Sequence, residues 1–182
     1  IDTFVYDLTQ TPTANNFGNF TYTNMDEFKA SSFGTDTIPA FVDYVEGIYV
    51  GYKFYETAAA EGLIDYDKTV VYPFGRGLSY TTFTQTLNSV TEADGTISVD
   101  VTVTNTGSAA GKEVVEVYYN PPYTNGGIEK ASANLIGFAK TSELAPGASE
   151  NVTVTFNAED MASYDTYGKG CYVLEKGDYV IS

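Results

Sequence analysis

Very few residues in this chain could do chemistry. There is no histidine and a single cysteine, Cys171, so imidazole base catalysis, Ser–His triads and most transition-metal sites are excluded. Ser79 therefore has no base to activate it. The remaining acid–base candidates are carboxylates close in sequence: Asp26 with Glu27, Asp65 with Asp67, and Glu159 with Asp160. Such pairs can share proton-transfer work when held in a dry cleft. Here each lies in a polar, turn-like context, which reads as a solvated pair. Asp94-Gly95 reads as a hairpin turn. No stretch is dense enough in oxygen ligands for a calcium loop. Cys171, flanked by Tyr172 and Val173, reads as an inert thiol on the core side of a strand. Asn19-Phe20-Thr21 and Asn151-Val152-Thr153 are short glycosylation sequons.

The composition narrows the partners. Nine Lys and Arg stand against 24 Asp and Glu, for a net charge of −15 over 182 residues. That balance repels phosphate backbones and anionic lipid surfaces, so neither nucleic acid nor a membrane is expected as partner. Hydrophobic content of 43% with 15% aromatics supports a packed core. One cysteine rules out an intrachain disulfide and suits a cytoplasmic protein without excluding a secreted one. No apolar run approaches the roughly 20 residues that span a bilayer. The chain opens on Ile1 and closes on Ser182 inside a predicted strand, which raises the expectation of a segment from a longer polypeptide.

The elements fall into two textures. Up to Tyr72 the chain is irregular and aromatic. Residues 11–35 mix Pro12, Asn15, Asn16, Gly18, Asn24 and Gly34 with Phe17, Phe20, Tyr22, Phe28 and Phe33. Apolar residues at three- and four-residue spacing predict one helix near 45–60, starting as late as Ile48 because of Gly47 and Gly51, with Gly62 at its C-terminus. Glu46, at its start, is placed to pair with Lys53 or Arg76. In the second half the period falls to two. Residues 96–103 alternate strictly, as do 114–119 and 151–156. Shorter strands are expected at 135–139, 171–174 and 178–181, the last two as a hairpin about Glu175-Lys176-Gly177, with one helical turn within 159–164. Seven or so short strands separated by turns predict an immunoglobulin-like sandwich.

Between the halves runs Val71-Tyr72-Pro73-Phe74-Gly75-Arg76-Gly77-Leu78-Ser79-Tyr80. Pro and Gly forbid regular structure here, and the aromatic load is too heavy for a solvated linker. The segment resembles the junction of glycoside hydrolase family 3 enzymes. Upstream, Tyr44-Val45-Glu46-Gly47-Ile48-Tyr49-Val50-Gly51-Tyr52-Lys53 is similar to the family's sandwich-domain closure. Downstream, 101–107, 111–118, Leu135-Ile136-Gly137-Phe138, Leu144-Ala145-Pro146-Gly147 and Gly177-Asp178-Tyr179 follow in the family's order. Lys53 and Glu116 depart from the usual Arg and Gln. The opening residues resemble some bacterial members.

The resemblance implies a mainly β chain: residues 1–75 end an α/β sandwich domain as an irregular α+β remnant, and 76–182 form a fibronectin type III-like β-sandwich. It implies a parent that hydrolyses β-linked sugars with retention, using two carboxylates about 5 Å apart. Neither catalytic motif matches here, so no catalytic residue is assigned, no substrate-binding residue is identified, and no metal or cofactor is called for. The expected partners are the parent's remaining domains, carbohydrate through that parent, and further copies of the chain through exposed aromatics. The alternative is a stand-alone carbohydrate-binding or adhesion module, with Tyr118, Tyr119, Tyr123 and Asn125 as its platform.

Overall fold

The computed structural model describes residues 3–5, 30–32, 35–37 and 46–182. Asp26, Glu27, the Asn19 sequon and most of the aromatic 11–35 segment lie outside the described residues. In the first half, β1 (Phe4–Val5), β2 (Ala30–Ser32) and β3 (Thr35–Thr37) precede helix α1 (Tyr52–Ala60), the single turn α2 (Tyr66–Thr69) and β4 (Val70–Tyr72). Strand β1 pairs with β4 and β2 with β3, both antiparallel. Helix α1 is shorter than its periodicity suggested. Gly51 precedes it at φ 60°, ψ −130°, and the residues before that form a turn closed by Tyr49 N donating to Glu46 O at 2.9 Å. At the other end Gly62 N donates to Ala59 O and Leu63 N to Ala58 O, the paired bonds of a Schellman stop.

The second half is a sandwich of two three-stranded antiparallel sheets. One contains β5 (Phe83–Ala93), β6 (Thr96–Asn105) and, across β6 from β5, β9 (Ser149–Asn157). The other centres on β7 (Val114–Asn120), flanked by β8 (Asn134–Lys140) and by the last strand, Val180–Ile181. A 3-10 turn at Ala158–Met161 leads into β10 (Ser163–Tyr164), which pairs with β11 (Tyr172–Val173). The final strand, β12, is Val180–Ile181.

Alternation builds this core. Ile97, Val99, Val101 and Val103 of β6 point inward, facing Val115, Val117 and Tyr119 of β7, with Val152, Val154 and Phe156 of β9 beside them. Val103 and Val117 are fully enclosed. Each buried valine contributes about 1.5–3 kcal/mol relative to exposure.

Two sequence expectations are corrected. Residues 171–174 and 178–181 do not form a hairpin. β11 returns to β10, while β12 crosses to β7, placing Val180 opposite Asn120 and Ile181 opposite Tyr119. Ile181 thereby packs on the core, a burial that a local hairpin would not supply. Cys171 is exposed, not a core thiol. It occupies the bend before β11, at the small β10–β11 ribbon, where no second sheet covers it.

Candidate functional site

The junction is strapped to the sandwich at both ends. Pro73 to Arg76 form a turn closed by Arg76 N donating to Pro73 O at 3.2 Å, with Gly75 at φ 78°. Gly75 is the third residue of this turn, where a positive φ favours glycine. A Cβ on Gly75 would lie 2.7 Å from Glu116 Oε2 of β7, so that flexible side chain would have to move aside. The turn places the half-buried Phe74 ring 4.7 Å from Tyr52, whose ring also meets Tyr118 edge-on at 5.9 Å. The Tyr52 hydroxyl accepts Leu135 N at 2.8 Å. Junction, helix α1 and strands β7 and β8 thus converge on one aromatic stack. Helix α1 is further tied to the sandwich by Ser132 N, which donates to Thr57 Oγ1 at 2.9 Å.

The far end is held by Asn105, whose side chain is completely buried. Its Oδ1 accepts Thr81 Oγ1 at 2.7 Å and Gly107 N at 3.0 Å. Its Nδ2 donates to Ala109 O and Leu144 O, both at 2.8 Å. All its hydrogen-bonding capacity is satisfied inside the protein. Gly107 must lack a side chain, because a Cβ there would sit 2.2 Å from Thr81 Oγ1. In sequence Asn105, Thr106 and Gly107 entered only as part of the 101–107 segment of the family resemblance. The available signal was the asparagine ending β6 on the inward-facing parity of Val99, Val101 and Val103.

Between these anchors the chain offers its side chains to solvent. Leu78 is 95% exposed and Tyr80 99%. Tyr72 lies half in solvent beneath the Arg76 guanidinium, which sits 4.4 Å above its ring, a cation–π contact. An open hollow of about 390 Å³ is lined by Tyr72, Arg76, Gly77 and Leu78. Leu78 and Tyr80 thus form an exposed apolar arc on an ordered loop.

In the two described carboxylate pairs, Asp65 and Asp160 have structural roles. Asp65 caps α2 by accepting Lys68 N at 3.4 Å and pairs with Lys68 Nζ at 2.7 Å. The hydrogen bond from Lys68 holds its carboxyl below the usual range. Asp160 accepts Asn157 N at 3.1 Å in a capping box at the start of the 3-10 turn that also carries Glu159. Asp94 and Gly95, at φ 51° and 79°, make the hairpin turn between β5 and β6. Ser79 Oγ accepts Thr81 N at 3.4 Å, a local turn contact. Asn151 is exposed on β9, its Oδ1 accepting Thr102 Oγ1 at 2.8 Å. The ion pairs seen among the described residues join Lys68 to Asp65 and Lys130 to Glu175. Neither Glu46–Lys53 nor Glu46–Arg76 is among these two pairs.

The aromatic platform does not assemble. Tyr118 and Tyr119 are neighbours in β7 and project to opposite faces. Tyr119 is in the core beside Tyr179, and Tyr118 donates to Glu116 Oε2 at 2.7 Å under the junction. Among the described residues no group of three or more Asp, Glu or Cys side chains is placed to hold a metal, and no helix is long and apolar enough to cross a membrane.

A family model for the fibronectin type III-like domain matches residues 113–182. Beta-glucosidase A of Butyrivibrio fibrisolvens is 42% identical over 76% of this chain. The beta-glucosidase structure from Paenibacillus barengoltzii superposes with a TM-score of 0.73 at 35% identity, covering 99% of the chain and 17% of that protein. The chain matches a fragment of glycoside hydrolase family 3 β-glucosidases. A family 3 β-glucosidase from Bifidobacterium adolescentis gives a TM-score of 0.73 at 29% identity, covering 99% of the chain and 22% of its own length. The chain spans 16–18% of the length of the curated family 3 relatives it matches. It corresponds to their fibronectin-like region, a non-catalytic portion of the hydrolase, and the greater length of those relatives supplies the other domains.

Proposed function

We propose that this segment braces a β-glucosidase whose chemistry lies elsewhere in the polypeptide. In this reading residues 1–75 close an α/β sandwich domain, residues 76–182 are the fibronectin-like domain, and the junction between them seats on the parent's other domains. The parent hydrolyses β-linked sugars with retention, and its nucleophile and acid/base lie outside this chain. The observation that carries the reading is the arc of Leu78 and Tyr80, almost wholly exposed yet held between the Phe74 and Thr81 anchors. Exposed apolar side chains on a loop fixed at both ends lose little further entropy on docking.

The isolated chain is expected to bind a hydrophobic dye and to self-associate through this arc. Replacing Leu78 and Tyr80 together by Asp should abolish both behaviours without moving the urea midpoint. A monomeric, dye-silent wild-type chain contradicts the reading.

A further inference from the structure

A second concave surface lies on the loops of the sandwich. A groove of about 420 Å³ runs between the 126–129 loop and the tip of the β10–β11 hairpin, lined by Ile128, Glu129, Tyr164, Tyr167, Lys169 and Val173 among others. Tyr164 has a structural task, since it meets Tyr172 edge-to-face at 5.2 Å and donates from its hydroxyl to Gly170 O at 3.0 Å. Tyr167 has no such task and is 95% exposed. The loop that carries it is nonetheless rigid. Both Asp165 carboxylate oxygens accept backbone donors, Gly168 N at 2.9 Å and Lys169 N at 2.8 Å. Gly170 N donates to Asp165 O and Asp165 N to Cys171 O, each at 2.9 Å. The backbone that carries Tyr167 is therefore ordered, and its exposed ring stands at the mouth of the groove, so little backbone ordering is needed when it is covered.

The chemistry of the occupant follows from the lining. Tyrosine rings offer flat apolar faces with a polar tip, and the walls add carboxylates and one ammonium. Glu129 already accepts the Tyr49 hydroxyl and Glu175 pairs with the buried Lys130, so both carboxylates are fixed in place. With a chain charge of −15, polyanions are repelled. A neutral polyhydroxylated chain fits: its C–H faces stack on aromatic rings and its hydroxyls bond carboxylates and ammonium.

We propose that this groove is an accessory subsite for a neutral β-linked glucan, with Tyr167 and Tyr164 as stacking faces and Glu129 and Lys169 as hydroxyl partners. The choice of a glucan rests on the β-glucosidase reading above, whereas the groove and its exposed tyrosine do not.

The test is affinity electrophoresis of the 182-residue chain in gels containing soluble barley β-glucan or laminarin. Wild type should be retarded, and Tyr167→Ala should weaken binding about tenfold with an unchanged circular dichroism spectrum. No retardation, or equal retardation of the two proteins, overturns the proposal. Should the isolated chain fail to unfold cooperatively, the same substitution in the longer enzyme decides. KM for long glucans should then rise while KM for a small aryl glucoside stays constant. An unchanged KM for both substrates overturns the subsite. The bracing role is left intact by either negative result, because the Leu78–Tyr80 arc tests it separately.

Discussion

The sandwich interior and the junction draw on the same palette of valine, leucine and aromatic residues and dispose of it in opposite ways. Along β6 and β7 every second side chain is sealed between two sheets, and the polar Asn105 at the end of β6 is sealed with them, fully hydrogen-bonded. Along 72–80 the backbone is as well anchored, yet Leu78 and Tyr80 face solvent. The first region completes its own folding. In the role proposed above, the second is completed by the parent's other domains. Burial of apolar surface stabilises a fold only where a second layer covers it; the two sheets do this for Val103 and Val117, whereas Leu78 and Tyr80 stay in solvent.

The contrast can be broken most severely at Asn105. Asn105→Ala should cost roughly 3–4 kcal/mol, since Thr81, Gly107 and two carbonyls lose a buried partner together. A urea titration reads it, and a loss below about 1 kcal/mol would show that the junction is not anchored there. Val103→Ala should cost about 2 kcal/mol through lost burial and the cavity left behind, with no change in dye binding, because the arc is elsewhere.

Alkaline pH sharpens the comparison. Tyr49, Tyr66 and Tyr118 are each half-buried, and each donates to a glutamate: Glu129, Glu56 and Glu116 respectively. Burial first, then the bonded carboxylate, pushes all three phenols well above their ordinary value near 10. The folded state therefore favours the neutral phenol. Its contribution is complete below pH 10 and is lost as pH rises beyond it, when the unfolded chain sheds protons that the folded chain retains. Solvent screening at these partly exposed sites moderates the effect. The unfolding midpoint should be flat from pH 8 to about 10 and fall above it. The triple Phe variant should flatten that alkaline limb, and an equal fall in variant and wild type would remove these phenols as its cause.

Much of the sandwich was legible because period-two alternation records a sheet with one covered face. β6, β7 and β9 stand where their valines place them. β5 was not read as a strand. Its apolar residues, Phe83, Leu87 and Val90, keep no period of two. A bulge at Asn88 restores them to one face, Leu87 opposite Val101 and Val90 opposite Val99, while the Asn88 amide bonds Asp100 and Thr102. The β12 crossover was illegible because a Lys-Gly turn signals a hairpin as readily as a chain leaving for another sheet. Tyr118 and Tyr119 failed as a platform for a reason already in the sequence, since adjacent strand residues cannot share a face. The junction's role came from motif resemblance, and its anchoring through Asn105 became visible only in three dimensions.

The central claim is that the junction arc joins this segment to the rest of a family 3 hydrolase. The most direct test places Leu78→Asp with Tyr80→Asp in the longer enzyme and follows thermal unfolding by calorimetry. The account predicts that a single cooperative transition in wild type separates into two, the fibronectin-like domain melting independently. One transition with an unchanged midpoint in the variant would contradict it.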